Sequence, residues 1–426
     1  MADTSLWRHR DFMLLWGGQT VSEMGSAVTQ LALPLTAVVL LDATTLQVGL
    51  LNAAATLAFA VIALPAGALV DRMLKRRVMI VCDTARLVIV ASVPVAWAAG
   101  VLTMGQLYAV AITTGVFTVF FDVSYQSYLP ALVRSEHLMN ANGRLGASQS
   151  FAQLAGPGLG GGLVGAFGAP GAMTADALSY LASVGSLLGI RGREERPAAT
   201  AGKRPSLRAD IAEGVRFVVG HPILRKIVAC TGTANLFSSI SGAVQILFLI
   251  RVLHVPPAYT GLLFAISAVG GVAGGVFSGP IARRVGSARI IWFSMLVLAV
   301  PGILPPLAEP GWGVVLYPVG FGFVLFAGVL YNVAQVSYRQ AVCPPRLMGR
   351  MNAAVRWIVW GTMPLGGVIG GVLGTAIGIR PTLWIAFIGS WAAGLWVYFS
   401  PLRRMRDIPV TSTVSEPAGE GRTPGE

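Results

Sequence analysis

Charge is what this 426-residue chain has least of: Asp, Glu, Lys and Arg together supply 12% of it. A typical soluble domain carries about 25%, so these charges cannot dress a water-facing surface. Cysteine is nearly absent too. Cys82, Cys230 and Cys343 lie far apart with no CxxC pair, and read as buried thiols rather than a disulfide framework or a zinc site. Gly202-Lys203 runs into Arg204, so no GxxxxGK[ST] phosphate loop is present, which argues against an ATP-driven pump. The histidines, His9, His137, His221 and His254, are scattered through loops, and neither HExxH nor a nucleophile elbow occurs. The chain is therefore not expected to be an enzyme, and no metal or cofactor is implied.

What is present is apolar: 54% of the residues, with 52 glycines among the rest. A bilayer crossing takes about 20 apolar residues. Twelve such runs begin near Leu14, Val48, Val78, Gln106, Leu145, Met173, Ile223, Tyr259, Ile290, Val314, Asn352 and Leu383. The spacing predicts an all-α membrane protein of twelve transmembrane helices. The first run has no small-residue cleavage site and reads as an uncleaved span. The net charge of +13 falls in alternate loops: Arg8/Arg10, Arg72 to Arg77, Arg191 to Lys226, Arg283 to Arg289, Arg339 to Arg356 and Arg403 to Arg406. The intervening loops carry only Arg251 and Arg380. That positive-inside pattern predicts a multi-pass cell-membrane protein with both termini cytoplasmic. It assigns the basic excess to topology and anionic lipid, not nucleic acid.

The chain also repeats itself. GALVDRMLKRR (Gly67 to Arg77) returns 212 positions later as GPIARRVGSAR (Gly279 to Arg289). MNA at Met139 returns at Met351 with the same offset, and Arg144 maps onto Arg356. DVSYQSY (Asp122 to Tyr128) returns as NVAQVSY (Asn332 to Tyr338), offset by 210. Three anchors in one register indicate internal duplication. The expected organisation is a six-helix bundle over 1–190, a linker over 191–222, a second six-helix bundle over 223–402 and a cytoplasmic tail over 403–426. The tail's Pro, Gly, Ser, Thr and Glu content predicts disorder. In the linker, GREERPAATAGKRPS is flexible by composition. Leu207, Ile211, Val215 and Val218 follow at helical spacing, which predicts a short amphipathic helix on the inner membrane surface.

These features, with the segments FMLLWGGQTVSEMGS, SYLPALV and LAGPGLGGGL, resemble the major facilitator superfamily. Within it they are most similar to the drug and macrolide efflux branch related to the enterobactin exporter. The likeness covers about residues 10–400. It implies the 6+6 fold, alternating access to a small-molecule substrate, a proton gradient as energy source and a monomer in the lipid bilayer.

The resemblance carries particular residues with it. Gly67, Asp71, Arg72, Lys75, Arg76 and Arg77 fit the family loop pattern G-x-x-x-D-[RK]-x-G-[RK]-[RK], with Leu74 in place of the second Gly. The second copy keeps Gly286 but has Arg283 where the acid belongs. A gating role follows for Gly67, Asp71, Arg72 and Arg76. Asp71 would meet the positive N-terminal end of span 11, near Gly349 to Asn352. Gly156, Pro157, Gly160 and Gly161 fit the antiporter pattern G-P-x-x-G-G. Proline bends the span, and glycines leave a flat face for a neighbour. Gly270, Gly271, Gly274 and Gly275 in span 8, and Gly366, Gly367, Gly370 and Gly371 in span 11, offer further flat faces. Spans 5 and 8, and spans 2 and 11, are expected to meet across the halves.

Spans 1, 4, 7 and 10 line the cavity in this superfamily, and all four carry polar stripes here. The candidate lining residues are Gln19, Ser26, Gln30, Tyr125, Asn235, Gln245, Asn332 and Gln335, with Tyr331 and Tyr338 on the same stripe of span 10. Four acids fall inside spans: Glu23, Asp83, Asp122 and Asp176. A charge at the bilayer centre costs at least ~2.5–3.5 kcal/mol, so each is a functional candidate. Asp83 has Arg86 one turn on, and the two read as a structural ion pair. Asp176, near the outer start of span 6, reads as capped or wetted. Glu23 and Asp122 lie on cavity stripes with no obvious local cation. They are the candidates for proton coupling, because a carboxyl in apolar surroundings readily trades its charge for a proton. Asn332 stands where Asp122 has its counterpart, so carboxylate coupling belongs to the first half.

The resulting expectation is a proton-coupled secondary transporter that exports a small amphipathic or hydrophobic compound: a drug, macrolide, siderophore or secondary metabolite. An importer or lysophospholipid flippase on the same fold is the first alternative. A non-transporting membrane sensor or partner-binding protein, marked by a folded soluble domain, is the second.

Overall fold

The computed structural model describes residues 6, 9–70, 73–134, 137–192, 194, 207–344 and 347–408. Within them every regular element is helical. The first half comprises α1 (Arg10–Leu40), α2 (Thr45–Val70), α3 (Lys75–Ala98), α4 (Met104–Leu132) and α5 (Leu138–Gly189). α5 is 52 residues long, and Gly168 interrupts it at φ 73° and ψ 167°. That backbone region is open essentially to glycine alone. The chain doubles back there. The first arm lays Gly156 on Ala27 and Gly160 on Val28 and Leu31, parallel to α1. The second arm brings Ser179 to Gly25 and Ser186 to Gly18, antiparallel to it.

α6 (Leu207–Gly220) connects the halves. It is clamped to the second one: Gly214 abuts the Arg350 backbone, Glu213 pairs with Arg350, and Val218 is buried. Then follow α7 (Leu224–Leu247), α8 (Pro257–Val285), α9 (Arg289–Phe293), α10 (Leu316–Val342), α11 (Met348–Ala376) and α12 (Ile379–Ala392). α9 runs on irregularly to Leu307, and α12 continues as Gly394–Tyr398. Nine of the described helical stretches are long and apolar enough to cross a membrane. The two arms of α5 and the stretch from Ile379 to Tyr398 bring the crossings to twelve. Val88, Val95, Val276, Leu188 and Phe399 stand exposed on the outside, as a lipid-facing surface requires.

Each half is built on a core, and Ile246 and Leu247 of the second half join that of the first. Leu35, Val93, Val110 and Tyr180 centre the first. Ile227, Ile291, Tyr331, Met351 and Val397 centre the second. Short turns reverse the chain between spans and sort its ends into two faces. One carries most of the Lys and Arg (the basic face); the other carries Arg251 and Arg380 (the neutral face).

On the basic face each half ends by capping one of its own helices. The Glu194 carboxylate accepts from the N–H groups of Lys75 (2.8 Å) and Arg76 (3.1 Å) at the start of α3. Asp407 accepts from the Ser287 N–H (3.0 Å) just before α9. Acids at helix N-termini satisfy orphan donors and complement the dipole. The Ser287 amide holds the Asp407 carboxyl below the usual carboxylate range.

The halves meet where expected, α2 on α11 and α5 on α8, but not through all the glycines expected. A Cβ on Gly161 would lie 2.9 Å from Gly261 Cα, and one on Gly371 would lie 3.2 Å from Gly49 Cα. Gly367 also faces α2, at Ala53. Gly366 and Gly370 instead pack on α7, against Leu236 and Ile240. Gly270 and Gly274 pack on α10, against Gly322 and Phe326. The glycine facing α5 from α8 is therefore Gly261, not the GxxxG cluster. These close contacts lie toward the neutral face, and Arg251 bonds Asp42 there across the halves at 2.6 Å.

Candidate functional site

Arg86 is the centre of the polar interior. It is 4% exposed, on α3, in an ion pair with the wholly buried Asp83. Its guanidinium carbon lies 4.4 Å from the Phe121 ring centre and 4.6 Å from that of Tyr180. The two rings hold the cation by their π faces. The charge of Arg86 reaches Glu23, Asp122 and Asp176 as well. The expected Asp83–Arg86 pair is thus formed, but it is not isolated. Glu23 and Asp122 do feel a cation, contrary to the sequence expectation, because the Arg86 guanidinium is held between the Phe121 and Tyr180 rings, where its charge reaches both.

Asp176 is a second correction. It is 0% exposed rather than wetted, and Ser179 donates to its Oδ1 at 3.2 Å. The second arm of α5 packs tightly on Gly25, which excludes water from that end. Four carboxyls share the field of Arg86, with Arg356 adding its own at Asp122, and acid remains in excess. A buried excess of acid is relieved by taking up protons or by pairing with a cation.

Asp122 also lines a cavity of about 260 Å³ between α2, α4 and α11, on the basic-face side of the inter-half contacts. Phe59, Arg356, Trp357 and Trp360 form its other walls. The Arg356 guanidinium sits 4.7 Å from the Trp360 ring centre, and Phe59 packs on Trp360 at 5.1 Å. Trp357 Nε1 donates to the Ala60 carbonyl at 3.2 Å, across the halves. These aromatic walls have no signature in the sequence. The repeat singles out Arg356 as the partner of Arg144 without giving it a role.

The remaining candidates scatter. Gln19 Nε2 donates to Glu23 Oε1 at 3.0 Å, and Ser26 bonds the Tyr180 hydroxyl at 3.0 Å. Gln30 is exposed, Gln245 is half-buried, and the Tyr125 ring stacks on Phe121 at 6.2 Å. Asn235 Nδ2 donates to the Val359 carbonyl at 3.3 Å, spending its amide within the second half. Asn332 is exposed, whereas Gln335 is buried and donates to Asn332 Oδ1 at 2.9 Å. Tyr331 and Tyr338 belong to the second core, not to a cavity wall; Tyr331 bonds Thr231 at 2.7 Å. Gly156, Pro157, Gly160 and Gly161 lie on α5 between α1 and α8. Of the loop motif, Asp71 and Arg72 lie outside the described residues. Gly67 has open space around its Cα. Arg76 donates to the carbonyls of Leu187 (2.8 Å) and Leu188 (3.0 Å), tying α3 to the end of α5.

Two like helical bundles touch through glycine behind apolar outer walls, and the first of them holds a buried cluster of carboxyls around a guanidinium. That is the architecture of a membrane transporter. The chain belongs to the Major Facilitator Superfamily, whose model matches residues 15–363. Among curated proteins it is similar to the multidrug efflux pump Tap of Mycolicibacterium fortuitum. The two are 27% identical over 404 residues, covering 91% of this chain and 94% of the pump. It is likewise similar to the MFS-type transporter YfiS of Bacillus subtilis (strain 168), at 26% identity over 87% of this chain and 88% of that one. Among solved structures, a bacterial homologue of the iron transporter ferroportin in an inward-facing state superposes with a TM-score of 0.74 at 16% identity, covering 92% and 98% of the two chains. The nucleoside transporter NupG superposes at 0.71 and 12% identity, covering 91% and 97%. Likeness at that identity speaks for the fold alone.

Proposed function

We propose that this transporter exports a small amphipathic or apolar compound in exchange for protons. The observation that carries the reading is the position of Asp122: one carboxyl belongs both to the Arg86 cluster and to the cavity wall. A group so placed can hold a proton when the cavity is empty and release it when substrate enters. Glu23, which shares the Asp122 field, is the second carrier. Aromatic walls with few fixed charges suit an amphipathic ligand better than a strongly charged one.

The basic face is assigned to the cytoplasm by the positive-inside rule. The cavity then opens inward, and the Gly161–Gly261 and Gly49–Gly371 contacts close the outer side. Rocking of the halves about these contacts would expose the cavity outward. Asp71, at the motif loop, would secure the inner side in that state. Likeness to a multidrug efflux pump favours export over import.

Inside-out membrane vesicles with an acid interior, tested with a panel of fluorescent amphipathic dyes, provide the test. The proposal expects dye accumulation that an uncoupler abolishes. Accumulation driven by sodium alone, or movement of every transported dye out of the vesicles under that gradient, would overturn it.

A further inference from the structure

On the basic face of the second half, well away from Asp122, a cavity of about 450 Å³ opens between α8, α9 and the end of the α12 stretch. Arg284, Arg289 and Arg403 stand around it, over a wall of Trp292, Phe293 and Tyr398. Trp292 and Tyr398 meet edge to face at 5.4 Å, and the Arg403 guanidinium carbon lies 4.9 Å from the Tyr398 ring centre. Among the described residues, none of the three guanidiniums has an ion-pair partner. Asp407, on the same face, is engaged by Ser287 and Arg406 and reaches Arg289 only through its field. The Trp292 Nε1 atom is buried with no acceptor among the described residues. The cavity thus offers donors and positive charge, and the described chain supplies no matching acceptor.

Arginines on this face can serve topology alone, and the duplication separates that role from a built site. By the 212-residue register, Arg284, Arg289 and Arg403 correspond to Arg72, Arg77 and Arg191. Both halves therefore keep the basic residues. Trp292, Phe293 and Tyr398 correspond to Ile80, Val81 and Ser186. The aromatic wall exists in one half only, so orientation in the membrane does not account for it.

We propose that this cavity binds the phosphate headgroup of an anionic phospholipid. The phosphodiester would sit among the three arginines and accept the Trp292 N–H. The glycerol and first acyl carbons would run along Phe293 and Tyr398 toward the exposed Phe399, at the lipid surface. Basic pockets between spans on the cytoplasmic side are suited to such headgroups, and Arg–phosphate pairing supplies the strong hydrogen bonds. The site is separate from the transport cavity, so it stands whether or not the proton coupling does.

Native mass spectrometry of the purified, delipidated protein tests it, with phosphatidylglycerol, phosphatidylcholine or inorganic phosphate added. Phosphatidylglycerol should bind in preference to phosphatidylcholine. Affinity should fall about fivefold for each of R284Q, R289Q and R403Q, at ~1 kcal/mol per charge. R77Q, in the half without the aromatic wall, should leave this binding unchanged. Trp292→Phe, which keeps the ring and removes the N–H, should weaken it without altering thermal unfolding. Equal retention of phosphatidylcholine, or binding indifferent to these substitutions, would overturn the proposal. So would full displacement of the lipid by millimolar inorganic phosphate, which would make the site one for free phosphate.

Discussion

Asp122 on α4 and Arg356 on α11 stand on opposite walls of one cavity, so acid and cation belong to different halves of the transporter. Arg356 acts on Asp122 through its field while its guanidinium rests on Trp360. Any rocking of the halves changes that separation, and with it the attraction for a proton at Asp122. Arg356→Gln removes the cation and should slow transport at saturating substrate; Arg356→Lys should retain part of the rate. Initial-rate measurements over a range of substrate concentration check this. Equal rates in the wild type and Arg356→Gln would remove Arg356 from the cycle.

The outer closure depends on glycine. A Cβ on Gly161 would stand 2.8 Å from the Ala258 carbonyl oxygen as well as against Gly261. Overpacking of this kind costs about 1–3 kcal/mol. In Gly161→Leu the cost falls on the arrangement seen here and is relieved when the neutral face opens. Spin labels at Thr44 and His254 should therefore move apart in Gly161→Leu, with transport lost. An unchanged distance distribution would show that this contact does not hold the closure.

Arg86 is expected to be structural and electrostatic at once. Arg86→Gln leaves Asp83 buried without its partner, and breaking a buried pair costs about 3–5 kcal/mol. The unfolding midpoint in detergent should drop sharply in Arg86→Gln. The double variant with Asp83→Asn should recover much of the loss, because the carboxylate that was paired directly with Arg86 is then gone. Equal midpoints for the single and double variants would contradict the pairing.

His221 gives a pH signature outside the membrane. Its Nδ1 accepts from the N–H groups of Ile223 and Leu224, both at 3.2 Å, at the start of α7. Burial holds its pKa below the ordinary imidazole value. The neutral ring is the acceptor, so the cap is complete above that ordinary value. It is lost as pH falls through the lower folded value. The unfolding midpoint of His221→Ala should lie below that of the wild type at pH 8, and the gap should narrow as pH falls below 6.5. A gap that does not narrow on acidification would show that the cap does not depend on the neutral ring.

Much of this was legible in the sequence, because duplication, apolar length and charge placement are properties of single segments. The two pairs of facing spans were implied only by the resemblance to the superfamily. Partner choice between segments was less legible. A GxxxG face announces a close neighbour without naming it, so the sequence points Gly270 and Gly274 at α5 when they serve α10. Polar stripes mislead for the same reason. Tyr331 lies on the expected face of its helix, but Thr231 offers its hydroxyl a partner inside the bundle. The reach of Arg86 cannot be read from spacing. Its neighbour Asp83 lies one turn away on the same helix, while Glu23, Asp122 and Asp176 come to it from three other helical segments. The Phe59–Trp360 wall joins residues from different halves and has no local signature.

Asp122 is proposed to carry the coupled proton. Liposomes holding purified protein allow two measurements on one preparation: dye accumulation under a pH gradient, and dye-for-dye exchange without one. The wild type should do both. Asp122→Asn should keep exchange, which shows a folded protein able to alternate, and lose accumulation. Gradient-driven accumulation by Asp122→Asn at the wild-type level would show that Asp122 does not carry the proton.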